Sequence, residues 1–480
     1  MFDRFFRLSE NHTTVRIELL AGLTTFLTMA YIIFVQPAVL SGSMFKMSTG
    51  MDFGAVTTAT CLSAALATLI MGLYARYPIA QAPGMGENFF FVFSVLPAAG
   101  ALTAVRAGAT TDWQVALGVV FISGVLFLLL SLLGVRERLL EAISPSMRCG
   151  IAVGIGLFIA LIGLRNATLV VPSPSTAVQL NPQMLSPDLL VFFCGLMATA
   201  GLHSLKVRGS IVWGIVVAAL LAASMRLAMR LAMPHLPAAV AQSRPVVESM
   251  LMTQFTLAHG VVSLPPDVSP TMFKMDLVNA VSWTMLPYIL IFLFMVLFDT
   301  LGTLIGVCEQ AGLIQDDRLP RAKEALTSDA VGTVVGAALG TSTVTSFIES
   351  AAGVEQGGRT GLTAVTVAVL FILALFFSPI IAMVGSYPPI TASALVVVGS
   401  MMMRNVVKVD WSNYAESMPA FMIMIGIPMT YSIADGLALG FISYPIVKLL
   451  SGQGRQVKLL MYVMGVVLAA YFLLLRTQSV

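Results

Sequence analysis

The sequence predicts an all-α polytopic membrane protein of fourteen transmembrane segments, folded as two inverted repeats of seven. Three observations predict it. Of 480 residues, 58% are hydrophobic and only 10% are charged, whereas soluble domains carry about 25% charge. Apolar runs of bilayer length recur along the whole chain. The third run of each half is interrupted by glycine or proline and small polar residues.

The elements follow in order. The first 18 residues, MFDRFFRLSENHTTVRIE, are charged throughout, which does not fit a secretory signal peptide. Apolar runs then mark spans at 19–41, 54–74, 85–100, 114–134, 149–165, 188–204 and 209–227. A more polar, proline-containing stretch occupies 228–280. The second series runs at 282–307, 326–339, 344–356, 360–384, 389–403, 417–432 and 434–450. Fourteen helices of ~20 residues need about 280 residues, which the chain accommodates with its loops. Hydrocarbon offers no partner to a backbone N–H or C=O, so each run is expected to be helical. A last apolar run at 459–475 fits either a spanning helix or one lying in the interface.

Lys and Arg set the orientation, because cytoplasmic loops retain them. With the N-terminus in the cytoplasm, 18 of the 26 Lys and Arg residues fall on that side when the last run spans. Seven spans precede the long polar stretch and seven follow it. An odd number per half forces opposite orientations, the mark of inverted repeats in secondary transporters. The halves divide as 1–250 and 251–480. Gly332, Gly336 and Gly340, and likewise Gly150 and Gly154, form small-residue ridges that permit close helix packing.

The interrupted third spans point to the binding site. One opens with Tyr77-Pro78-Ile79-Ala80-Gln81-Ala82-Pro83-Gly84-Met85-Gly86-Glu87-Asn88 and the other with Gly340-Thr341-Ser342-Thr343-Val344-Thr345-Ser346-Phe347-Ile348-Glu349-Ser350. Broken segments at matching places in two halves are the best sequence pointer to a transporter site. Asp299 lies well inside the eighth span, where a carboxylate costs ~2.5–3.5 kcal/mol and is a functional suspect. Glu349 begins the broken tenth span, as a site residue or a helix cap. Glu87 faces the cavity or caps its helix, and Asn88 beside it offers both a donor and an acceptor. Two carboxylates and an amide suit an uncharged planar ligand rich in N–H donors. They do not suit an anion. Phe89, Phe90 and Phe298 are placed either to stack on a flat ring or to fill the core. Asp435 and Glu416 lie at span ends, where solvation is expected.

Other classes of function find no support. The net charge of +3 does not suggest nucleic acid. The four cysteines and four histidines are scattered, without metal-ligand or disulfide spacing. No nucleotide-binding loop or nucleophile–base pair occurs, so no cofactor, metal or enzymatic activity is expected.

These stretches resemble the nucleobase:cation symporter-2 superfamily, and within it the AzgA-like adenine–guanine–hypoxanthine permeases. The resemblance runs from Ala21-Gly22-Leu23-Thr24-Thr25-Phe26-Leu27-Thr28-Met29-Ala30-Tyr31 through Ala82-Pro83-Gly84-Met85-Gly86-Glu87-Asn88 and Phe298-Asp299-Thr300-Leu301-Gly302-Thr303. It continues to Gly357-Gly358-Arg359-Thr360-Gly361-Leu362 and to the segment Ile433–Pro445. It implies a core domain (spans 1–4 and 8–11), a gate domain (spans 5–7 and 12–14), and short strands opening spans 3 and 10. It implies a substrate held by Asp299, Glu349, Asn88, Glu87, Phe89, Phe298, Thr341, Ser342 and Ser350. Uracil-type relatives carry a proton-linked histidine near the eighth-span carboxylate. Thr303 stands at that place here, which leaves the proton to Asp299 or Glu349. Many AzgA-like members have an apolar residue in place of Glu87, and often Asn in place of Gln36. The function implied is proton-coupled import of purine nucleobases, by a homodimer in the bacterial inner or eukaryotic plasma membrane. The alternatives are an anion carrier of the same fold and an uncoupled nucleobase facilitator.

Overall fold

The computed structural model describes residues 5–471 apart from 46, 134–142, 174–176, 233–248, 312 and 314–320. Span 1 is two helices, Val15–Met29 and Ile32–Leu40, broken at Ala30 and Tyr31. Pro37 lies within the second piece and removes one backbone donor from it. Span 2 (Phe53–Ile70) runs on as a π-turn, Met71–Ala75. Span 3 opens with strand β1 (Gln81–Pro83) and continues as Met85–Phe90, Phe91–Val95 and Leu96–Gly100. Spans 4 to 7 are Asp112–Leu133, Pro145–Asn166, Pro187–Ser204 and Ser210–Ala232. A small hairpin of β2 (Val170–Ser173) and β3 (Ala177–Leu180) joins spans 5 and 6 where only a loop was expected.

The second half repeats the plan. Span 8 is Leu286–Gln310 and span 9 is Ala322–Leu339. Span 10 opens with β4 (Val344–Ser346) and continues as Ser350–Glu355. Span 11 combines Gly361–Ala374 with Ser378–Gly385. Spans 12, 13 and 14 are Pro388–Met402, Tyr414–Thr430 and Ile433–Leu450. A C-terminal helix, Leu459–Tyr471, packs against spans 14 and 8; residues 472–475 of the expected run lie outside the described residues. Among the described residues, eight helices are long and apolar enough to cross a membrane by length and composition.

Helix starts follow local chemistry. Asp52 Oδ1 accepts from Ala55 N at 2.7 Å at the head of span 2. Ser144 and Ser186 cap spans 5 and 6, each followed by proline at the first helical position, where a missing N–H costs nothing.

Packing sorts the spans into two groups. Spans 1, 2, 3, 4, 8, 9, 10 and 11 form one network of contacts and spans 5, 6, 7, 12, 13 and 14 the other, with span 3 also touching spans 5 and 14. Within the first group, spans 2 and 11 cross so closely that a Cβ on Gly361 would lie 1.8 Å from the Gly72 carbonyl oxygen. Gly332 faces Ala67 of span 2, and Gly150 faces Ala420 of span 13, so both glycine ridges are helix contacts.

Glu18, buried in span 1, ties that span to the head of span 11. Its carboxylate accepts from the backbone N–H groups of Arg359, Thr360 and Thr363 at 3.0–3.3 Å, and from Thr363 Oγ1 at 2.6 Å. Glu416 and Asp435 correct the expectation of solvated span ends. Asp435 is buried, and Glu416 Oε1 lies 2.7 Å from Nζ of buried Lys448. Spans 13 and 14 are antiparallel, which brings the first turn of one against the last turn of the other.

Candidate substrate site

Two short strands meet at the centre of the first helix group. β1 and β4 pair antiparallel, with Gln81 opposite Ser346, Ala82 opposite Thr345 and Pro83 opposite Val344. A two-stranded ribbon inside a membrane leaves two open edges, and unsatisfied backbone groups there are costly. One threonine serves each edge. Thr68 of span 2 donates to Gln81 O and accepts from Gln81 N, both at 2.9 Å. Thr333 of span 9 donates to Val344 O at 2.9 Å and accepts from Val344 N at 3.2 Å. The two halves solve the same problem with the same residue type.

Four carboxylates surround this ribbon. Asp299 sits midway along span 8 and is exposed, while its neighbours Leu297 and Thr300 are buried. Its Oδ2 accepts from Thr345 Oγ1 of β4 at 3.2 Å. Glu349 is half-buried and stands at the N-cap of the span 10 helix, yet its side chain makes no capping hydrogen bond. Oε1 instead accepts from the Tyr31 hydroxyl at 2.7 Å. Glu87 is buried and folds back over Gly84, where a Cβ would lie 2.3 Å from Glu87 Oε2 and 3.1 Å from Thr345 Oγ1. Thr345 therefore stands beside both Glu87 and Asp299. Asp329 of span 9 is wholly buried and accepts from Ser346 Oγ at 3.0 Å. No Lys, Arg or His side chain among the described residues forms an ion pair with any of the four.

Several expected contacts are committed elsewhere. The Asn88 amide is buried: it donates to Gln36 Oε1 and accepts from Ser342 Oγ. Gln36 Nε2 in turn donates to Thr341 Oγ1 at 2.8 Å and Ser342 Oγ at 3.2 Å. Asn88, Thr341 and Ser342 thus lock spans 1, 3 and 10 together. Ser350 Oγ accepts from Ala80 N at 3.0 Å and extends the ribbon. Phe89 is buried among Phe45, Phe93 and Phe158, with ring centroids 6.0–6.3 Å apart. Phe90 packs on Phe292 with centroids 4.8 Å apart. Thr303 is buried one turn beyond Asp299. The Phe298 side chain lies outside the described residues.

Sequence reasoning missed Tyr31 and Asp329, which the fold brings beside the ribbon. Tyr31 reaches Glu349 only because span 1 breaks at that residue. Asp329 carried the same signal as Asp299, an acid within an apolar stretch, but lies near the span boundary read from hydropathy.

A family model described as "Permease family", of the xanthine–uracil type, matches residues 16–439. The chain belongs to the nucleobase:cation symporter-2 superfamily. It is 40% identical over 477 residues to the guanine/hypoxanthine permease PbuG of Bacillus subtilis, covering 98% of this chain and 99% of that one. It is 39% identical over 457 residues to the adenine permease AdeP of Escherichia coli, covering 95% and 92%. The transmembrane domain of the cyanobacterial bicarbonate transporter BicA superposes with a TM-score of 0.57 at 14% identity, covering 89% of this permease and 97% of that domain. That likeness is one of fold. The permease is an integral membrane transporter and not an enzyme.

Proposed function

We propose that this permease imports purine nucleobases by proton-coupled symport. The observation that carries the reading is a set of carboxylates at the β1–β4 ribbon with no Lys, Arg or His paired to them among the described residues. Asp299 and Glu349 approach the ribbon from spans 8 and 10, and Glu87 from span 3. Carboxylates accept the ring and exocyclic N–H groups of a purine, and an anion would meet only repulsion. Tyr31 occupies one oxygen of Glu349 and leaves the other to accept. The names of the relatives PbuG and AdeP support the purine class. A proton taken up within the acidic cluster lowers the charge that moves with the substrate.

In this reading the first helix group is the core domain and the second the gate domain. The core carries substrate past the gate in an elevator-like alternating-access movement, within a homodimer joined through gate domains. The protein resides in the plasma or inner membrane with its N-terminus in the cytoplasm. The test is uptake of radiolabelled adenine, guanine, hypoxanthine and xanthine into proteoliposomes, with an inward pH gradient, with none, and with sodium. Accumulation of at least one purine only under the pH gradient is expected. Equal uptake with and without the gradient leaves an uncoupled facilitator, and no purine uptake sinks the reading.

A further inference from the structure

The chain passes between the two helix groups three times, and the link from span 4 to span 5 lies largely outside the described residues. The other two crossings run side by side at one face of the bundle. Span 11 ends at Gly385 and span 12 begins at Pro388, so this crossing consists of Ser386 and Tyr387 alone. Both of its ends are fixed. Gly385 lies against Phe53 of span 2, where a Cβ would come within 2.5 Å of the ring. Tyr387 is fully buried, and its hydroxyl donates to Asp188 Oδ1 of span 6 at 2.6 Å. Gly385 is thereby held in the first helix group and Tyr387 in the second, with half-buried Ser386 between them.

The second crossing joins span 7 to span 8, and the same aspartate holds its start. Buried Asp188 also accepts from Ser249 Oγ at 3.1 Å, Met250 N at 2.9 Å and Leu251 N at 3.0 Å. Farther along, the bonds go to the first group. Ser263 N donates to Phe376 O of span 11 at 2.9 Å, and Phe273 N to Ala338 O of span 9 at 2.7 Å. Pro266 O accepts from Thr58 Oγ1 of span 2 at 2.8 Å. Residues 253–262 run between the two sets of bonds. Within them Thr256 N donates to Ser386 Oγ at 3.2 Å, Val261 and Val262 are exposed, and a Cβ on Gly260 would meet nothing closer than 4.0 Å.

Two rigid groups turn relative to one another through a few residues at element ends, which absorb the change in torsion angles. The short, clamped crossing sets where that change occurs, and the longer crossing has to follow it. We propose that Ser386 is the hinge between the two helix groups, that Asp188 anchors its far side to the second group, and that residues 253–262 supply the slack of the other crossing. The inference rests on the alternating-access reading above and adds the place of the pivot.

The test uses the full chain. Purine affinity is measured on purified protein, and purine exchange by counterflow in proteoliposomes without a gradient, which reads the movement apart from proton coupling. The φ of −70° at Ser386 suits proline, which fixes that torsion. Ser386→Pro is expected to keep purine affinity and lose exchange, while Ser386→Ala, which gives up the hydroxyl but not the freedom to turn, keeps both. Wild-type exchange by Ser386→Pro overturns the proposal, as does an equal loss in Ser386→Ala. If Ser386→Pro fails to fold, the other crossing decides. Deleting Gly260 and Val261 shortens it by about 7 Å and is expected to abolish exchange, whereas two glycines inserted there leave it intact. Wild-type exchange after the deletion, or equal damage from the insertion, overturns the proposal. Spin labels at Tyr74 and Leu205, exposed at the ends of spans 2 and 6 away from Ser386, read the movement itself in a cysteine-free background. Two distances are expected in the otherwise unaltered protein and one in Ser386→Pro. A single distance in both overturns the hinge, and two distances without purine exchange refute the purine reading alone.

Discussion

The Tyr31 hydroxyl donates to Glu349 Oε1 at 2.7 Å, joining the break in span 1 to the head of the span 10 helix. Tyr31 is 2% exposed and Glu349 half-buried, so this bond is shielded from water on the tyrosine side. It fixes the carboxylate at a place where the strand has ended and the helix has not begun. Hydrogen bonds to a charged group contribute ~1.5–3 kcal/mol. Tyr31→Phe keeps the ring and deletes the donor. Purine affinity is expected to fall at unchanged protein level, because Glu349 loses the bond that holds it in place. Affinity equal to wild type in a binding assay on purified protein would remove Tyr31 from the site.

Asp299 and Glu349 are expected to be needed for uptake in their own right. Asp299→Asn and Glu349→Gln keep the shape and remove the charge. On the proposed reading each substitution weakens an N–H···carboxylate bond to the purine by ~1.5–3 kcal/mol. Loss or strong weakening of uptake, with normal membrane insertion, is the expected result. Near-normal transport by both variants would refute the assignment.

Much of this site was legible in the sequence, and the reason is membrane energetics. A carboxylate in hydrocarbon is costly enough for Asp299 to stand out alone, and broken segments in corresponding places marked the ribbon. What was not legible was how the polar residues divide their work. Asn88, Thr341 and Ser342 have the chemistry of a binding site, but their groups are spent on Gln36 and on each other. That depends on which way side chains face across three spans distant in sequence. The Lys448–Glu416 pair was hidden for a related reason. Hydropathy places both residues at span ends but does not say that the ends meet.

Thr68 and Thr333 give a test of the fold that does not depend on substrate. Each hydroxyl serves two backbone groups on one edge of the ribbon. Valine has nearly the same shape and leaves both groups unpaired. Each buried unsatisfied group costs ~1–3 kcal/mol, so Thr68→Val and Thr333→Val are both expected to lower the melting temperature of the detergent-purified protein. The corresponding serine variants should recover most of the loss. If the valine variants melt with wild type, the ribbon edges are satisfied in some other way.

Gly84 gives a route to the role of Glu87. The backbone there, at φ −72° and ψ 134°, is open to any residue, so alanine strains nothing by conformation. Its Cβ would displace the Glu87 carboxylate, a flexible group 2.3 Å away. Gly84→Ala should therefore fold and insert normally but move that carboxylate away from Thr345 and the ribbon. Purine affinity should fall in the single variant, and Gly84→Ala with Glu87→Ala should do no worse than Glu87→Ala alone. A double variant much weaker than either single one would show that Gly84 serves something other than Glu87.

The Lys448–Glu416 pair supports the second helix group in a way that charge removal can expose. Lys448 Nζ lies 2.7 Å from Glu416 Oε1, with side-chain exposures of 2% and 15%. Lys448 also donates to Gln453 Oε1 at 2.8 Å, while Glu416 Oε2 is buried without a hydrogen-bond partner. Desolvation offsets much of the attraction within such a pair, so the pair itself adds little net stability. Leaving one member alone is different, because an uncompensated buried charge costs ~3–5 kcal/mol. Lys448→Met is expected to lower the melting temperature sharply. Lys448→Met with Glu416→Leu, which removes both charges, should regain most of that loss. The measurement is thermal unfolding of the purified permease in detergent for wild type, both single variants and the double. If the double variant is as unstable as Lys448→Met, the lysine acts through Gln453 and its own packing, and the ion pair is not what that variant disrupts.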